Sequence, residues 1–518
     1  MASGFLIRQN QYYDSVFLMG VNKRLSEARG VQQTAVLMGS DANKRLLLDI
    51  GIHDAQIDAA QPNDLIAAVI ADTPDDVRDA LGRLDEWLEA GQENAPASGL
   101  HTLDDGLVHR PDANLVVISI PGEYAAREAR RALEAGLNVF LFSSNVSLDD
   151  ELALKQFAAQ QGLIVMGPDC GTSLIGGAGI GFANAVRQGS IGAVGASGTG
   201  LQEFTCQVHN AGLGISHAIG TGSHDLSDRI GGLTTFAALD ALEADPQTEV
   251  VALISKLPAA RTLKKVSERL VTFRKPVIGC FLGTDIKPRF SPEGTNASYQ
   301  PARTIDEAVQ LALAATTGVK LQAAPHLASD EANWLARERG AWAPGQQYLR
   351  GLFAGGTFCY QTQQILRDAS IAVNSNAPLD QRHKLADPDK SQQHTVVDMG
   401  DEYYTLGRPH PMIDGTLRRK RILSEARDPQ VAILLLDFIL GYNVSRDPVG
   451  EALDAIVEAE QAAQRRGGHL TVVASICGTE GDPQDLNLQA RMLAEAGALV
   501  FQSNARAAAF CRELLKRR

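Results

Sequence analysis

Short runs of apolar residues alternate with segments of helical periodicity along most of the 518-residue chain. In residues 1–92, apolar runs at 4–9, 34–39 and 65–71 predict strands, and the intervening segments predict amphipathic helices. Because three strands and their helices suffice for one small core, we predict a separate α+β domain over residues 1–92. The Pro, Gly, Ser and Asp residues of 94–110 predict a linker.

Residues 111–187 continue the alternation with almost wholly apolar runs at 115–120, 138–142 and 163–166, a pattern typical of buried parallel strands. Each run ends in a polar loop that contains Gly, Pro or Asn. Since the carboxyl ends of parallel strands meet at one edge of the sheet, where ligands bind, these loops predict substrate-binding residues. The candidates are Asn145, Asp169 and Cys170.

A loop of small residues joins a strand to a helix in the stretch S-I-G-A-V-G-A-S-G-T-G-L-Q-E at 190–203. Such a loop lets a ligand approach the backbone, and the free N–H groups and the helix dipole favour an anion there. The alternative is that Ser197 and Thr199 only cap the helix and that the glycines only turn a tight corner. The candidate phosphate ligands are Ser197, Gly198, Thr199 and Gly200.

Residues 346–518 repeat the plan of residues 188–320 imperfectly. Both blocks run from a strand through a loop of small residues into a helix, and in both the tripeptide D-P-Q precedes an apolar strand. We therefore predict two doubly wound α/β modules, joined by a linker at 322–345 that carries one helix around 330–337. A second loop of the same kind favours phosphate binding over two tight corners. Its candidate ligands are Gly355, Gly356 and Thr357.

The composition is that of an ordinary α/β protein, with 44% hydrophobic and 21% charged residues. A net charge of −13 argues against nucleic-acid binding, which needs a basic surface, but not against small anions. No apolar run reaches the ~18 residues of a membrane span, and no signal-peptide pattern opens the chain. The six cysteines form no C-x-x-C pair and the histidines no ligand spacing, so we expect no metal, no disulfides and a cytoplasmic protein.

Two prolines stiffen the segment at 407–411, which contains Arg408 and His410. Arg suits bidentate binding of a carboxylate or phosphate, and His suits hydrogen bonding to an oxyanion or proton transfer. We predict Arg408 and His410 as catalytic residues; the alternative is a surface turn. Cys170 is either a nucleophile or a small buried filler. Other acids at strand ends either orient substrate or cap a helix: Asp398, Asp401 and Asp437.

Two parts of the chain resemble succinyl-CoA synthetase. Residues 111–318 are similar to its α-subunit through Gly167-Pro168-Asp169-Cys170 and Ser197-Gly198-Thr199. Residues 346–518 are similar to the ligase domain of its β-subunit through Gly355-Gly356-Thr357. Nearly the whole chain resembles the FdrA family, through V-M-G-P-D-C-G-T-S, I-G-A-V-G-A-S-G-T-G and Y-T-L-G-R-P-H-P-M-I-D.

These resemblances imply an α/β fold made of four parts. A small α+β domain at 1–92 is followed by a Rossmann-like, CoA-binding-type domain at 111–187. Two flavodoxin-like ligase modules then occupy 188–320 and 346–518.

The chain departs from the synthetases in three ways. Ser255-Lys256-Leu257-Pro258 replaces their G-E-I-G-G, residues 291–303 lack the histidine that they phosphorylate, and their ATP-grasp domain has no counterpart. We therefore expect no phosphohistidine shuttle. The two helix starts would instead hold free phosphate or carbamoyl phosphate and stabilise the charge of the transition state.

The FdrA resemblance implies a subunit of oxamate carbamoyltransferase, which works with two other subunits in allantoin and purine breakdown. It would convert oxalurate and phosphate to oxamate and carbamoyl phosphate, with no required cofactor. The first alternative is a CoA ligase of the acyl-CoA synthetase type, with CoA near Gly122-Glu123 and Ser143–Asn145. The second is a non-catalytic, anion-binding scaffold subunit. We expect an oligomer that binds an anionic small molecule and neither nucleic acid nor a membrane.

Overall fold

The structure is a computed structural model, and it describes residues 2–13, 15–49, 51–92, 100, 102–283, 299–319, 329–405 and 408–516. The predicted linkers at 94–110 and 322–345 lie partly outside the described residues. The histidine-free segment at 291–303 also lies partly outside the described residues, and Gly407 lies wholly outside them.

The described strands alternate with helices along the chain. The first strands are β1 (Ala2–Arg8), β2 (Val31–Met38), β3 (Leu65–Ala71), β4 (Leu115–Ile118), β5 (Asn138–Leu141), β6 (Val165–Met166), β7 (Thr172–Ile175), β8 (Ala178–Gly181) and β9 (Gln188–Ala196). The later strands are β10 (Ile215–Gly220), β11 (Val250–Ser255), β12 (Val277–Phe281), β13 (Tyr299–Ala302), β14 (Tyr348–Phe353), β15 (Thr395–Asp398), β16 (Val431–Ile439), β17 (Thr471–Cys477) and β18 (Leu499–Phe501).

The helices connect these strands, and a short 3-10 helix lies at Gln381–His383. The first helices are α1 (Ser15–Ser26), α2 (Asp41–Asp49), α3 (Ala55–Ala59), α4 (Pro74–Gly82), α5 (Leu84–Gln92), α6 (Leu103–His109), α7 (Gly122–Glu134), α8 (Leu148–Gln161) and α9 (Gly198–Asn210). The later helices are α10 (Leu233–Ala244), α11 (Ala260–Val271), α12 (Ile305–Thr317), α13 (Ser329–Ala341), α14 (Gly356–Arg367), α15 (Glu402–Thr405), α16 (Thr416–Glu425), α17 (Gly450–Arg465), α18 (Leu486–Glu495) and α19 (Asn504–Leu515).

The N-terminal segment folds as an antiparallel sheet in the order β1-β3-β2 with helices on both faces. The apolar β3 is central because both of its faces are buried. The segment that follows β3 forms two helices, α4 and α5, which are separated at Arg83. The predicted linker at 94–110 contains α6, which begins with a capping box between Thr102 and Asp105. An ion pair between Lys23 and Glu451 joins this segment to the second module.

The next sheet is parallel, with the order β4-β5-β6, and α7 and α8 pack against it. The hairpin β7–β8 is a feature that the apolar pattern does not predict, because its strands are short and rich in Gly and polar residues. This hairpin joins the following sheet through β10 and not the sheet that precedes it. The sheet boundary therefore lies between β6 and β7, before the predicted domain boundary at 187.

The two ligase modules repeat one strand order. The first sheet contains β10-β9-β11-β12-β13, extended at one edge by β7 and β8, and the second contains β15-β14-β16-β17-β18. Numbered within each module, both orders are 2-1-3-4-5, the flavodoxin-like arrangement in which ligands bind where the chain reverses direction across the sheet. The predicted architectural repeat is confirmed. Its last strand in the first module, β13, was not predicted.

Helices α9 and α14 pack against each other across the interface between the modules. Buried hydrogen bonds fix their relation: Asn184 donates to the Leu440 carbonyl at 2.8 Å, and the Asn504 N–H donates to Glu203 Oε1 at 2.9 Å. The modules therefore present the starts of α9 and α14 to each other. Among the described residues, every helix is too short or too polar to cross a lipid bilayer.

Candidate functional site

The start of α9 is capped by a hydroxyl. Ser197 has extended backbone geometry, and its Oγ accepts the Gly200 N–H at 3.3 Å. A Cβ on Gly200 would lie 2.5 Å from Ser197 Oγ, so only glycine fits under this cap. The other N–H groups of the first turn have no acceptor within the helix.

The start of α14 has no side-chain cap at Gly355. The N–H groups of Ala354 and Gly355 instead both donate to the Asp437 carboxylate at 2.8 Å. Asp437 is fully buried and forms an ion pair with Arg418 at 3.0 Å. The buried Asp437 carboxylate thus fixes the loop that precedes α14, and the first turn of α14 points away from this carboxylate.

The two helix starts are in direct contact. The hydroxyls of Ser197 and Thr357 share a hydrogen bond, and a Cβ on Gly355 would lie 3.1 Å from Thr199 Oγ1. The predicted phosphate ligands of both modules are therefore brought together at one place. Two helix dipoles with their positive ends converging there favour a bound anion.

Two opposite charges flank the start of α14. A Cβ on Gly356 would lie 3.0 Å from Lys256 Nζ and would overlap Asp398 Oδ2. Lys256 is the residue that follows β11 of the first module, and Asp398 ends β15 of the second. The site therefore contains an ammonium group, a carboxylate and two helix N-termini within contact distance of one glycine.

The environment alters the pKa of both charged groups. Desolvation opposes the Lys256 ammonium, but Asp398 and the weaker fields of Tyr360 and Asp169 outweigh it and raise the Lys256 pKa above its ordinary value. The ammonium also lies 5.1 Å from the centre of the Tyr360 ring. Burial raises the pKa of Asp398 to about 6, against the opposing effect of Lys256. Lys256 is thus a permanent cation, whereas Asp398 titrates just below neutral pH.

His410 joins the same cluster. A Cβ on Gly400 would lie 2.7 Å from His410 Nε2 and 3.3 Å from Asp398 Oδ1, so both atoms converge on one backbone position. The Met412 N–H donates to His410 Nδ1 at 3.2 Å, which assigns the proton to Nε2. Burial lowers the His410 pKa to about 4, so the ring is neutral at pH 7 and donates through Nε2.

The other predicted residues are only partly assembled here. Asp169 lies at the first sheet edge, where the field of Lys256 acts on its carboxylate. Cys170 is a correction to the expected ligand set: it is 3% exposed in the core, and burial raises its thiol pKa to about 12, which suits neither a ligand nor a nucleophile. Asn145 is exposed in the loop that follows β5 of the separate parallel sheet. Arg408 is exposed and makes a backbone turn to Thr405.

Sequence reasoning missed Lys256 as a site residue and treated Asp398 only as one of several acids at strand ends. Lys256 stands directly after the fully buried β11, whose end pairs with the end of β9 next to Ser197. A charged residue in that position of a doubly wound sheet is the signal that could have identified it. No group of three or more His, Cys, Asp and Glu within the described ranges could hold a metal ion.

Three family models match parts of the chain: "AllF, heavy metal-associated domain" at residues 1–102, "CoA binding domain" at 186–281 and "CoA-ligase" at 352–513. The CoA binding match falls on the segment predicted as the first ligase module. Residues 1–102 contain no cysteine, although the first match is named after heavy metals.

The uncharacterized protein YahF of Escherichia coli (strain K12) is 42% identical over 516 residues, which is 99% of both chains. Succinate–CoA ligase subunit alpha 2 of Archaeoglobus fulgidus is 29% identical over 185 residues, covering 35% of this chain and 63% of that protein. The subunit alpha from Methanothermobacter thermautotrophicus is 26% identical over 203 residues, covering 39% of this chain and 67% of that protein.

Solved structures give a looser match. The apo acetyl-coenzyme A synthetase 1 of Ca. Korarchaeum cryptofilum has a TM-score of 0.28 and 19% identity over 77% of this chain and 82% of that one. ATP citrate lyase from Methanothrix soehngenii has a TM-score of 0.35 and 14% identity over 80% and 83%. The similarity to succinyl-CoA synthetase is confirmed by the sequence matches, whereas the narrower assignment to the FdrA family stays a prediction.

Proposed function

Since the chain belongs to the family of Escherichia coli YahF, within the CoA-ligase and succinyl-CoA synthetase-like superfamily of enzymes, we propose that it transfers an acyl group to or from phosphate. The phosphate or acyl phosphate binds between the starts of α9 and α14. The observation that carries this proposal is the contact of Ser197 with Thr357, with the Lys256 ammonium beside Gly356.

The binding chemistry follows from the charges. The N–H groups of two first turns and the hydroxyls of Ser197, Thr199 and Thr357 surround the phosphate oxygens, and Lys256 neutralises part of their charge. Such donors are already oriented before the reaction, so they stabilise charge in the transition state without reorganising.

The reaction step needs a donor at the acyl oxygen. In the direction of phosphorolysis, a phosphate oxygen attacks the acyl carbon, the carbonyl oxygen gains negative charge, and the leaving group departs with the bonding electrons and a proton. The neutral His410, with its proton on Nε2, is the donor that stabilises the oxyanion. Asp398, whose charge favours the Lys256 ammonium, takes up a proton when a dianion binds beside it.

Free phosphate fits this site better than a phosphoenzyme. Residues 291–303, which would carry the phosphorylated histidine of the synthetases, contain no His. Lys256 and Asp398 also lie directly beside Gly356. A phosphate bound at the start of α14 would therefore contact these charged groups of the chain. An acyl phosphate is therefore a substrate or product in this proposal.

The acyl acceptor defines two versions of the function. CoA is the first, because CoA binding and CoA-ligase models cover both modules; it would supply a thiol, and the helix starts and Lys256 suit its phosphates. An amide nitrogen is the second, as in oxamate carbamoyltransferase, with two partner subunits. The specific observation in its favour is the hydrogen bond between Ser197 and Thr357, because helices in contact suit a group as small as carbamoyl phosphate.

The test uses the full chain, alone and co-expressed with the products of its neighbouring genes. Phosphate-dependent release of carbamoyl phosphate from oxalurate supports the amide version, and a requirement for CoA supports the thiol version. In both, replacing Ser197, Thr199 and Thr357 together by Ala abolishes turnover. Thr73→Ala is the matched control, because Thr73 caps α4 in the N-terminal segment, outside the site. Activity that survives the triple substitution contradicts the proposal, and phosphate binding without turnover in any combination indicates a scaffold subunit.

A further inference from the structure

A second group of charges lies at the carboxyl edge of the first module, where α8 packs against the loop after β10. Lys155 and Glu151, one turn apart on α8, are both buried. Lys155 Nζ donates to Glu151 Oε1 at 2.7 Å, to Asp225 Oδ1 at 2.8 Å and to the Thr221 carbonyl at 3.0 Å. These three bonds use all three donors of the ammonium.

Asp225 is also fully satisfied. Its oxygens accept the N–H of Thr234 at 3.1 Å and both the N–H and the hydroxyl of Thr235, at 2.9 and 2.7 Å. Asp225 therefore shares its negative charge between the Lys155 ammonium and the positive N-terminal end of α10. Glu151 supplies the second negative charge beside Lys155, and it does so through its Oε1 atom.

One carboxylate oxygen of Glu151 is not used by Lys155. Its Oε2 is buried and has no hydrogen-bond partner within the described residues, and it lies 3.7 Å from His224 Nδ1. The His224 side chain is 55% exposed, whereas Glu151 is fully buried. A buried carboxylate thus stands behind an accessible imidazole, an arrangement that orients the ring and favours its charged form.

The loop that carries His224 belongs to the same sheet edge as the anion site. The Thr221 N–H donates to the Gly195 carbonyl at 2.9 Å, next to the start of α9. Gly222 has a φ of +88°, and a Cβ there would lie 2.5 Å from the Pro168 carbonyl oxygen, so the His224 loop packs on the loop of Asp169. Asp169 in turn lies within the fields of both His224 and Lys256.

We propose that His224, positioned by Glu151, is the general acid–base residue for the acyl acceptor, a role that rests on the proposed acyl transfer. In the direction of phosphorolysis, the C–N or C–S bond breaks, the leaving atom keeps the electron pair, and the His224 imidazolium gives it a proton. In the reverse direction, neutral His224 removes the proton from the attacking N–H or S–H group as phosphate leaves with the C–O electrons. Glu151 stabilises the imidazolium and is a positioning residue.

The charges around His224 support this role. The nearby Glu151 carboxylate raises the pKa of His224, burial opposes this, Asp169 raises the pKa further and Lys155 lowers it. Loss of the Glu151 charge therefore moves the His224 pKa down, toward its ordinary value near 6.5 or below.

The first experiment needs no substrate. Titrating the histidine resonances of the isotopically labelled full chain, with His224→Asn to assign the His224 signal, gives its pKa. We expect Glu151→Gln to lower this pKa by about one unit. His53→Asn, which removes an exposed imidazole beside Asp58 in the N-terminal segment, is the control and leaves the His224 signal in place. An unchanged pKa in folded Glu151→Gln overturns the pairing.

The second experiment uses the turnover assay. His224→Asn is expected to lower kcat by about a hundredfold, with KM for phosphate unchanged, and to remove one limb of the pH profile. His224→Gly should regain activity with added imidazole, which a structural role would not give. Wild-type turnover in His224→Asn, or a loss that appears in KM alone, overturns the acid–base role. If the wild type transfers no acyl group at all, the proposed function fails, while the titration still decides whether Glu151 positions His224.

Discussion

The two helix starts of the anion site share one backbone plan but differ in chemistry. At α9, the Ser197 hydroxyl caps the helix, and the neighbouring strand β11 contributes the apolar Ile254, which pairs with Gly195. At α14, Gly355 has no side-chain cap, and the neighbouring strand β16 contributes the buried Asp437. One start is neutral and closed by a hydroxyl, and the other is a bare backbone supported by a carboxylate.

This difference shows how a repeated fold builds a single site. The first module supplies the hydroxyls of Ser197 and Thr199, but its charge, Lys256, reaches across to Gly356 of the second module. The second module supplies bare N–H groups and Asp398, whose negative charge acts on Lys256. Neither module alone contains the complete set, so the interface between them is part of the chemistry.

The largest expected effect comes from removing the Asp437 carboxylate, which supports the uncapped start of α14. Asp437→Ala leaves Arg418 buried without its partner and two N–H groups without an acceptor, so unfolding free energy should fall by ~3–5 kcal/mol. Chemical denaturation measures it. The matched change in the first module, Ile254→Val, removes only one methylene and should cost about 1 kcal/mol. Equal losses for the two variants would mean that the two supports are alike.

The next effect is a pH dependence of stability that arises at the start of α14 and not at the start of α9. Since burial raises the Asp398 pKa to about 6, the folded protein binds this proton more tightly than the unfolded chain. Protonated Asp398 therefore stabilises the folded state most below pH ~4. This contribution to the free energy of unfolding, ~2–3 kcal/mol, is lost as pH rises to about 6. Asp398→Asn should flatten the rise of Tm on acidification over this window. Asp454→Asn, an exposed charge change on α17, is the control, and a slope that persists in Asp398→Asn contradicts the assignment.

Lys256→Met tests the charge that crosses between the modules. Removing the ammonium beside Gly356 should weaken phosphate binding by about thirtyfold, or ~2 kcal/mol, because a charge-assisted hydrogen bond to the phosphate is lost. Calorimetric titration with phosphate measures the change. Lys264→Met, at an exposed position on α11, removes the same charge and should bind like the wild type. If both variants bind equally well, Lys256 is not a phosphate ligand.

The smallest effect concerns the hydroxyl contact. Ser197→Ala and Thr357→Ala should each reduce phosphate affinity about fivefold, or ~1 kcal/mol. Because the two hydroxyls share a hydrogen bond, the double variant should lose less than the sum of the single losses. Strict additivity would show that the helix starts act independently.

Much of the fold could be predicted because the modules are built from buried parallel strands. The predicted strands at 65–71, 115–120 and 138–142 overlap β3, β4 and β5 closely, since each is a short apolar run between turns. The hairpin β7–β8 could not be predicted, because its strands are stabilised by pairing with β10 and carry little apolar pattern of their own.

The site was only half predictable for a related reason. The small-residue loops report local geometry, so Ser197 and Gly356 were identified from the sequence. Lys256 and Asp398 acquire their role by meeting across an interface, and this depends on how the modules pack. His410 was identified from its residue type, while its neutral state follows from burial that only the structure shows.

The most direct test of the central claim is the position of a bound phosphate analogue. Crystals of the full chain, soaked with tungstate, locate this tetrahedral dianion by its anomalous scattering. We expect a peak at the junction of α9 and α14, within hydrogen-bonding distance of Thr199, the Gly356 N–H and Lys256 Nζ. Tungstate bound at other sites, with this junction empty, would contradict it.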